Sequence, residues 1–218
     1  MRAAASRAKR QPARAEPARA ETLPRVREEA AGCRDCPLWK NATQTVFGAG
    51  SARARIVLVG EQPGDREDRE GEPFVGPAGL LLNRALEEAG IDRTATYVTN
   101  AVKHFKFELR GKRRIHKKPV ELEISACRQW LEREVHIIRP HLIVVLGATA
   151  ARAVFGRATA IERNRGRVLP ADEALSPFDS DLLVTVHPSF LLRMPEEDKP
   201  EAFRRFVADL KLARPYLD

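Results

Sequence analysis

A chain of 218 residues, 43% hydrophobic and 31% charged, is long enough to enclose one sizeable core and reads as a single domain with a tail. No apolar run is long enough for a membrane-spanning helix, and three cysteines, an odd number, exclude a closed disulfide framework and point to a reducing compartment. The formal net charge of +8 favours a polyanionic partner without choosing one, but the charge is local: residues 103–118 carry eight basic side chains and one acidic.

Residues 1–22 are Ala, Arg, Pro and Glu with almost no large apolar side chain, which predicts a disordered basic tail. An organellar transit peptide shares that composition and is the alternative; a secretory core is lacking. The domain is expected over residues 23–218. It opens with a short helix at 26–31 and a turn carrying Cys33 and Cys36. Beyond it, residues 56–60, 96–99, 142–146 and 182–186 are short, β-branched apolar runs, the pattern of strands covered on both faces. Helical periodicity fills the intervals at 78–89, 120–138 and 148–155, and again at 202–213. This alternation predicts a three-layer α/β/α sandwich around a central, mainly parallel four-stranded sheet.

In such sheets the working residues gather where strands end. G-E-Q-P-G (60–64) follows the first strand, and a Pro–Gly turn there would hold Glu61 and Gln62 at the sheet's mouth. The other ends are T-N (99–100), G-A-T (147–149) and H-P-S (187–189), where a lone His such as His187 is more often structural than catalytic. Cys33 and Cys36 have the C-x-x-C spacing of a metal or cluster site, with Cys127 far downstream on a helix. Spacing alone leaves zinc and an iron–sulfur cluster equally open. The segment G-K-R-R-I-H-K-K-P (111–119) is a basic loop. Its plainest reading is phosphate contact through Lys112, Arg113, Arg114, Lys117 and Lys118, with His116 incidental.

Together, G-E-Q-P-G and H-P-S resemble the two active-site motifs of the uracil-DNA glycosylase superfamily. E-P-F-V-G-P-A-G (72–79) and T-N-A-V-K (99–103) look like its pyrimidine-pocket segments, and the likeness runs from about residue 33 to 212. K-R-R-I-H (112–116), with Gln62 where relatives often have Ala, resembles the X-type branch of the iron–sulfur members. The resemblance implies catalytic roles for His116, Glu61 and His187, with His187 donating to the departing base. It implies substrate contacts at Gln62, Phe74, Asn100, Ser189 and Arg193. Iron–sulfur members have a third cysteine after T-N-x-V-K; His104 stands there, so Cys33, Cys36, His104 and Cys127 are expected around a structural 4Fe–4S cluster, with Cys₃His zinc as the alternative.

The expected substrate is uracil-containing DNA, single-stranded preferred. Phe74 would stack on the flipped base and Asn100 would read its edge. A neutral His116 would then capture the sugar, its protonation opposed by Lys112, Arg113, Arg114, Lys117 and Lys118, giving a single-turnover covalent adduct. Glu61 would orient His116 or stabilise the sugar cation. Arg193 would enter the DNA, brace a phosphate or simply lie on the surface. A conventional multiple-turnover glycosylase is the alternative, and a non-catalytic zinc-bound nucleic-acid module the third reading. The protein is expected to be a monomer without a membrane, cytoplasmic and nucleoid-associated through DNA.

Overall fold

The computed structural model describes residues 21–217, so the expected basic tail lies outside them except for Glu21 and Thr22. The helices are α1 (Leu23–Ala31), α2 (Asp65–Glu70), α3 (Pro77–Glu88), α4 (Glu121–Ile138), α5 (Gly147–Phe155), α6 (Ile161–Asn164), α7 (Pro188–Leu192) and α8 (Lys199–Lys211). The strands are β1 (Ala49–Gly50), β2 (Ile56–Gly60), β3 (Thr96–Asn100), β4 (Phe107–Arg110), β5 (Arg113–His116), β6 (Leu142–Leu146), β7 (Val168–Leu169) and β8 (Asp181–Thr185).

β2, β3, β6 and β8 coincide with the four apolar runs and pair in parallel, in the order β3-β2-β6-β8. Among the described residues the sheet nevertheless has six strands, not four: β1 and β7 add an antiparallel pair of residues at each edge. Two residues carry no readable periodicity, and such short strands blunt an edge that would otherwise invite pairing with another chain.

Alternation along the inner strands sends side chains to two separate cores, as a doubly covered sheet requires. Ile56, Leu58, Val98, Val144 and Leu183 face α3, α7 and α8, where Leu82, Leu86, Leu191, Phe206 and Leu210 cover them. Val57, Val59, Tyr97, Ile143 and Val145 face α1, α4 and α5, against Val26, Trp130, Leu131 and Val154. β2 lies between β3, which follows it in sequence, and the much later β6, so the chain reverses its winding there and opens a crevice at the carboxyl ends of β2 and β6.

The segment expected to be a basic loop is a separate two-stranded hairpin, β4 and β5, in register from Phe107↔His116 to Arg110↔Arg113. Its two-residue turn needs a left-handed first position, and Gly111 supplies it at φ +59°. Dense charge masks the alternation that would have identified the strands.

Beneath β3 a charged pair sits inside the core. Lys103 Nζ lies 2.5 Å from Glu134 Oε2, and both side chains are at most 1% exposed. The ammonium also donates to the Asn100 carbonyl at 2.8 Å and Thr99 Oγ1 at 2.6 Å. Glu134 further accepts from Tyr97 and from the Gly48 amide. Full hydrogen bonding is the condition under which such a pair is tolerated in a core. Glu134→Ala leaves the ammonium buried and unpaired, so urea unfolding should show a loss of about 3–5 kcal/mol, whereas Lys103→Met combined with Glu134→Leu should lose much less. Equal losses would mean the pair itself, not the orphaned charge, carries the stability.

Candidate active site

The crevice between β2 and β6 deepens into a cleft of about 890 Å³ lined by Glu61, Gln62, Phe74, Asn100, His116 and His187 among others. Sequence reading named all six. Each of the four inner strand ends contributes: Glu61 follows β2, Asn100 ends β3, Gly147 follows β6 and His187 follows β8.

Phe74 is buried, yet its backbone is left-handed at φ +59°, a conformation costing about 1–3 kcal/mol for a non-glycine residue. Its ring stands 6.2 Å from the His187 ring, the planes 30° apart. This approach requires Gly60: a Cβ there would fall 2.5 Å from both the Phe74 ring and Asn100 Oδ1. The strained backbone, the missing side chain and the aromatic ring together shape one slot.

His187 has a defined tautomer. The Ser189 amide donates to its Nδ1 at 3.2 Å, so in the neutral ring the proton sits on Nε2. Ser189 Oγ also approaches Nδ1, at 2.8 Å, and accepts from Arg193 at 3.3 Å. Ser189 and Arg193, expected to contact substrate, are thus joined to His187 at the cleft wall. Burial first, then the charges of Arg193 and His116, push the His187 imidazole down to about 4.

His116 ends β5, with Nε2 3.3 Å from Glu61 Oε1. The other Glu61 oxygen accepts from Thr149 Oγ1. Burial holds the His116 imidazole below its usual value; Glu61 opposes this and Arg193 reinforces it. The neutral ring therefore traces to desolvation and Arg193, not to the five basic hairpin neighbours that were expected to cause it. Lys112, Arg113, Lys117 and Lys118 are exposed and screened by water, and the charge of Arg114 is offset by Asp65 and Asp68.

Gln62 was expected to bind substrate. Its amide is instead committed to backbone: Nε2 donates to the carbonyls of Lys106 at 3.2 Å and Lys117 at 3.0 Å, and Oε1 accepts from the Lys106 amide at 3.2 Å. These bonds extend the hairpin ladder by one rung and fix the base from which His116 projects. Arg114 likewise departs from its expected phosphate role. Its guanidinium, 12% exposed, bonds Asp65, Asp68 at 2.6 Å and Thr43 at 3.2 Å, and lies over Phe105 and Phe107. With its donors directed inward, it clamps the hairpin to α2. Lys112, Arg113, Lys117 and Lys118 remain exposed; Lys117 pairs with Glu108 at 2.8 Å and Lys118 lines the cleft.

Cys33, Cys36 and Cys127 come near enough to influence one another's ionisation. Burial pushes the Cys127 thiol up to about 12 and raises Cys36. Among the described residues no three His, Cys, Asp or Glu side chains are gathered tightly enough to clasp a single ion. Each outer thiol has an N–H donor: the Lys103 amide to Cys127 Sγ at 3.1 Å and Trp130 Nε1 to Cys33 Sγ at 3.2 Å. Buried His104 adjoins Lys103 in sequence.

Sequence reasoning passed over Thr149, Asp65, Asp68 and Glu134. Thr149 stood in a strand end that was noted without a role. The three carboxylates act through partners distant in sequence, and no local pattern marks them.

A family model described as the uracil DNA glycosylase superfamily matches residues 47–211. A type-4 uracil-DNA glycosylase of Thermotoga maritima is 37% identical over 203 residues, covering 90% of this chain and 95% of that one. Similar relatives of the same description occur in Saccharolobus solfataricus, at 34% over 85% of each chain, and Archaeoglobus fulgidus, at 35% over 81% and 86%.

The depressed His187 value makes a pH prediction. An unfolded imidazole takes up its proton near 6.5, the folded one only near 4, so acid in that window favours the unfolded chain. Urea midpoints should fall as pH drops from about 6.5 towards 4, and the fall should be smaller in His187→Gln. Identical pH profiles for the two proteins would refute the assignment of this shift to His187.

Proposed function

This chain belongs to the uracil DNA glycosylase superfamily, and we propose that it excises uracil from DNA and then captures the exposed sugar on His116. The observation that carries the second half is the position of the His116 imidazole on the cleft wall, 3.3 Å from the Glu61 carboxylate, where a hydrolytic enzyme would keep water. K-R-R-I-H and Gln62 support assignment to the X-type branch.

In the proposed reaction a deoxyuridine flips into the cleft, stacks on Phe74 and meets Asn100 along its edge. The C1′–N1 bond breaks and its electron pair leaves with the base. Nε2–H of His187 donates to the developing uracil anion, which a neutral imidazole can do throughout the mildly acid and neutral range. Positive charge on the sugar is offset by Glu61, held by Thr149. The lone pair of His116 then forms the N–C1′ bond, the proton on its other ring nitrogen is lost to solvent, and uracil takes up a proton from water. A neutral glycosyl-imidazole lacks a ready leaving route, so each chain acts once.

Lys112, Arg113, Lys117 and Lys118 supply phosphate contacts, with Arg193 at the rim. Single-stranded DNA is the proposed substrate, since it needs no unpairing. The proposed working form is a cytoplasmic, nucleoid-associated monomer.

Three thiols and the imidazole of His104, which follows Lys103 in sequence, would form a donor set suited to soft metal centres. Spacing does not separate a 4Fe–4S cluster from zinc; the resemblance to the iron–sulfur members of the superfamily favours the cluster. Cys33, Cys36, His104 and Cys127 would hold it. Bound there, it would brace α1, α4 and the residues after β3 as a structural cross-link.

The relatives described as type-4 uracil-DNA glycosylases favour a second reading, ordinary turnover with water in place of His116. Incubation with labelled single-stranded uracil DNA, followed by denaturing electrophoresis and quantified uracil release, separates the two. Capture predicts one uracil per chain and a denaturant-resistant band that His116→Ala abolishes. Many uracils per chain without that band would establish turnover; no uracil released would overturn both.

A further inference from the structure

Thr45 lies outside the cleft and outside every motif that the sequence brought forward, yet it determines the state of a buried imidazole. Its Oγ1 donates to the Ala30 carbonyl at 3.1 Å and stands 2.9 Å from His104 Nε2. A hydroxyl has one proton. Both contacts can be hydrogen bonds at once only if the hydroxyl proton goes to the Ala30 carbonyl and the ring supplies the hydrogen to Thr45 Oγ1. Nε2 therefore carries the proton and Nδ1 carries the lone pair.

A metal-binding histidine needs this arrangement, in which one ring nitrogen is tied to an acceptor and the other is left as a ligand. The surrounding donors fit the same pattern. The amide next to His104, that of Lys103, donates to Cys127 Sγ, and Trp130 donates to Cys33 Sγ. The Ala30 carbonyl that anchors Thr45 belongs to α1, whose last turn leads directly to Cys33. A single hydroxyl thus links the C-x-x-C turn to the imidazole.

We propose that Thr45 is the positioning residue of the metal centre: its hydroxyl, anchored on Ala30, holds His104 in the Nε2–H tautomer and presents Nδ1 to the cluster. This rests on the proposed assignment of His104 as a ligand. Coordination by Nδ1 releases no proton from this residue, so protons displaced on assembly come from the cysteines alone. The role is one of retention and does not touch uracil chemistry.

Thr45→Val keeps the shape of the side chain and removes the hydroxyl, whereas Thr45→Ser keeps the hydroxyl and removes a methyl. Iron, zinc and acid-labile sulfide would be measured on the purified full-length proteins, with the visible absorption spectrum and the rate of metal loss to a chelator. Thr45→Val should lose its metal about 10–100-fold faster than the parent, with a changed absorption envelope and unchanged far-ultraviolet circular dichroism. Thr45→Ser should stay close to the parent. Equal loss rates for Thr45→Val and the parent would overturn the proposal, as would equal weakening in both variants, which would point to the methyl group. Zinc without sulfide in the parent would remove the cluster reading while leaving the tautomer test intact through zinc release. A parent protein with no metal would remove both.

Discussion

The position of the proposed nucleophile depends on one side-chain amide. The hairpin is a separate sheet from the six-stranded one, and two-stranded ribbons are marginal alone. Gln62 supplies the missing rung by bonding the backbone of Lys106 and Lys117 on either side of the hairpin base. Since Gln62 directly follows Glu61, the residue that fixes the hairpin and the carboxylate that faces His116 move as one unit. Arg114 completes the attachment from the other side through Asp65 and Asp68. Without these contacts the basic ribbon could bind a polyanion, but the imidazole would have no defined place.

The electrostatics of the cleft follow from that placement. Two imidazoles and a guanidinium share a small volume with a single carboxylate close by. Desolvation depresses protonation of both rings, and the charge of Arg193 adds to it at each. In the neutral form His187, its Nδ1 occupied by Ser189, can only donate from Nε2, whereas His116 retains a lone pair for the proposed capture. Charge on either ring would reduce both capacities. Keeping them uncharged is the work of burial and one arginine, while water screens the exposed lysines of the hairpin.

The inner strands and main helices were legible in the sequence because they follow simple periods. Val57 and Val59 against Ile56 and Leu58 are a doubly covered strand by composition, and Trp130, Leu131 and Val135 mark one face of α4. The cleft residues were legible because strand ends bring short motifs together. What escaped was everything decided by tertiary pairing. Arg114 has the same local context as Arg113, yet one is clamped between carboxylates and the other is exposed. Nothing near Gln62 reveals that its partners are backbone groups more than forty residues away. Thr45 was invisible for a related reason, since a hydroxyl reveals its direction only once its acceptor is in place.

The hairpin is also the most local β-structure in the chain, closed by a two-residue turn, while every inner strand must wait for a crossover. Synthesis from the amino terminus delivers β2, Gln62 and the whole hairpin before β6 and β8 exist. A nascent chain can therefore carry its basic ribbon and His116 while it still lacks Thr149 and His187. On the proposed reading, affinity for nucleic acid precedes reactivity during biogenesis, so a half-made molecule that touches DNA can let go again.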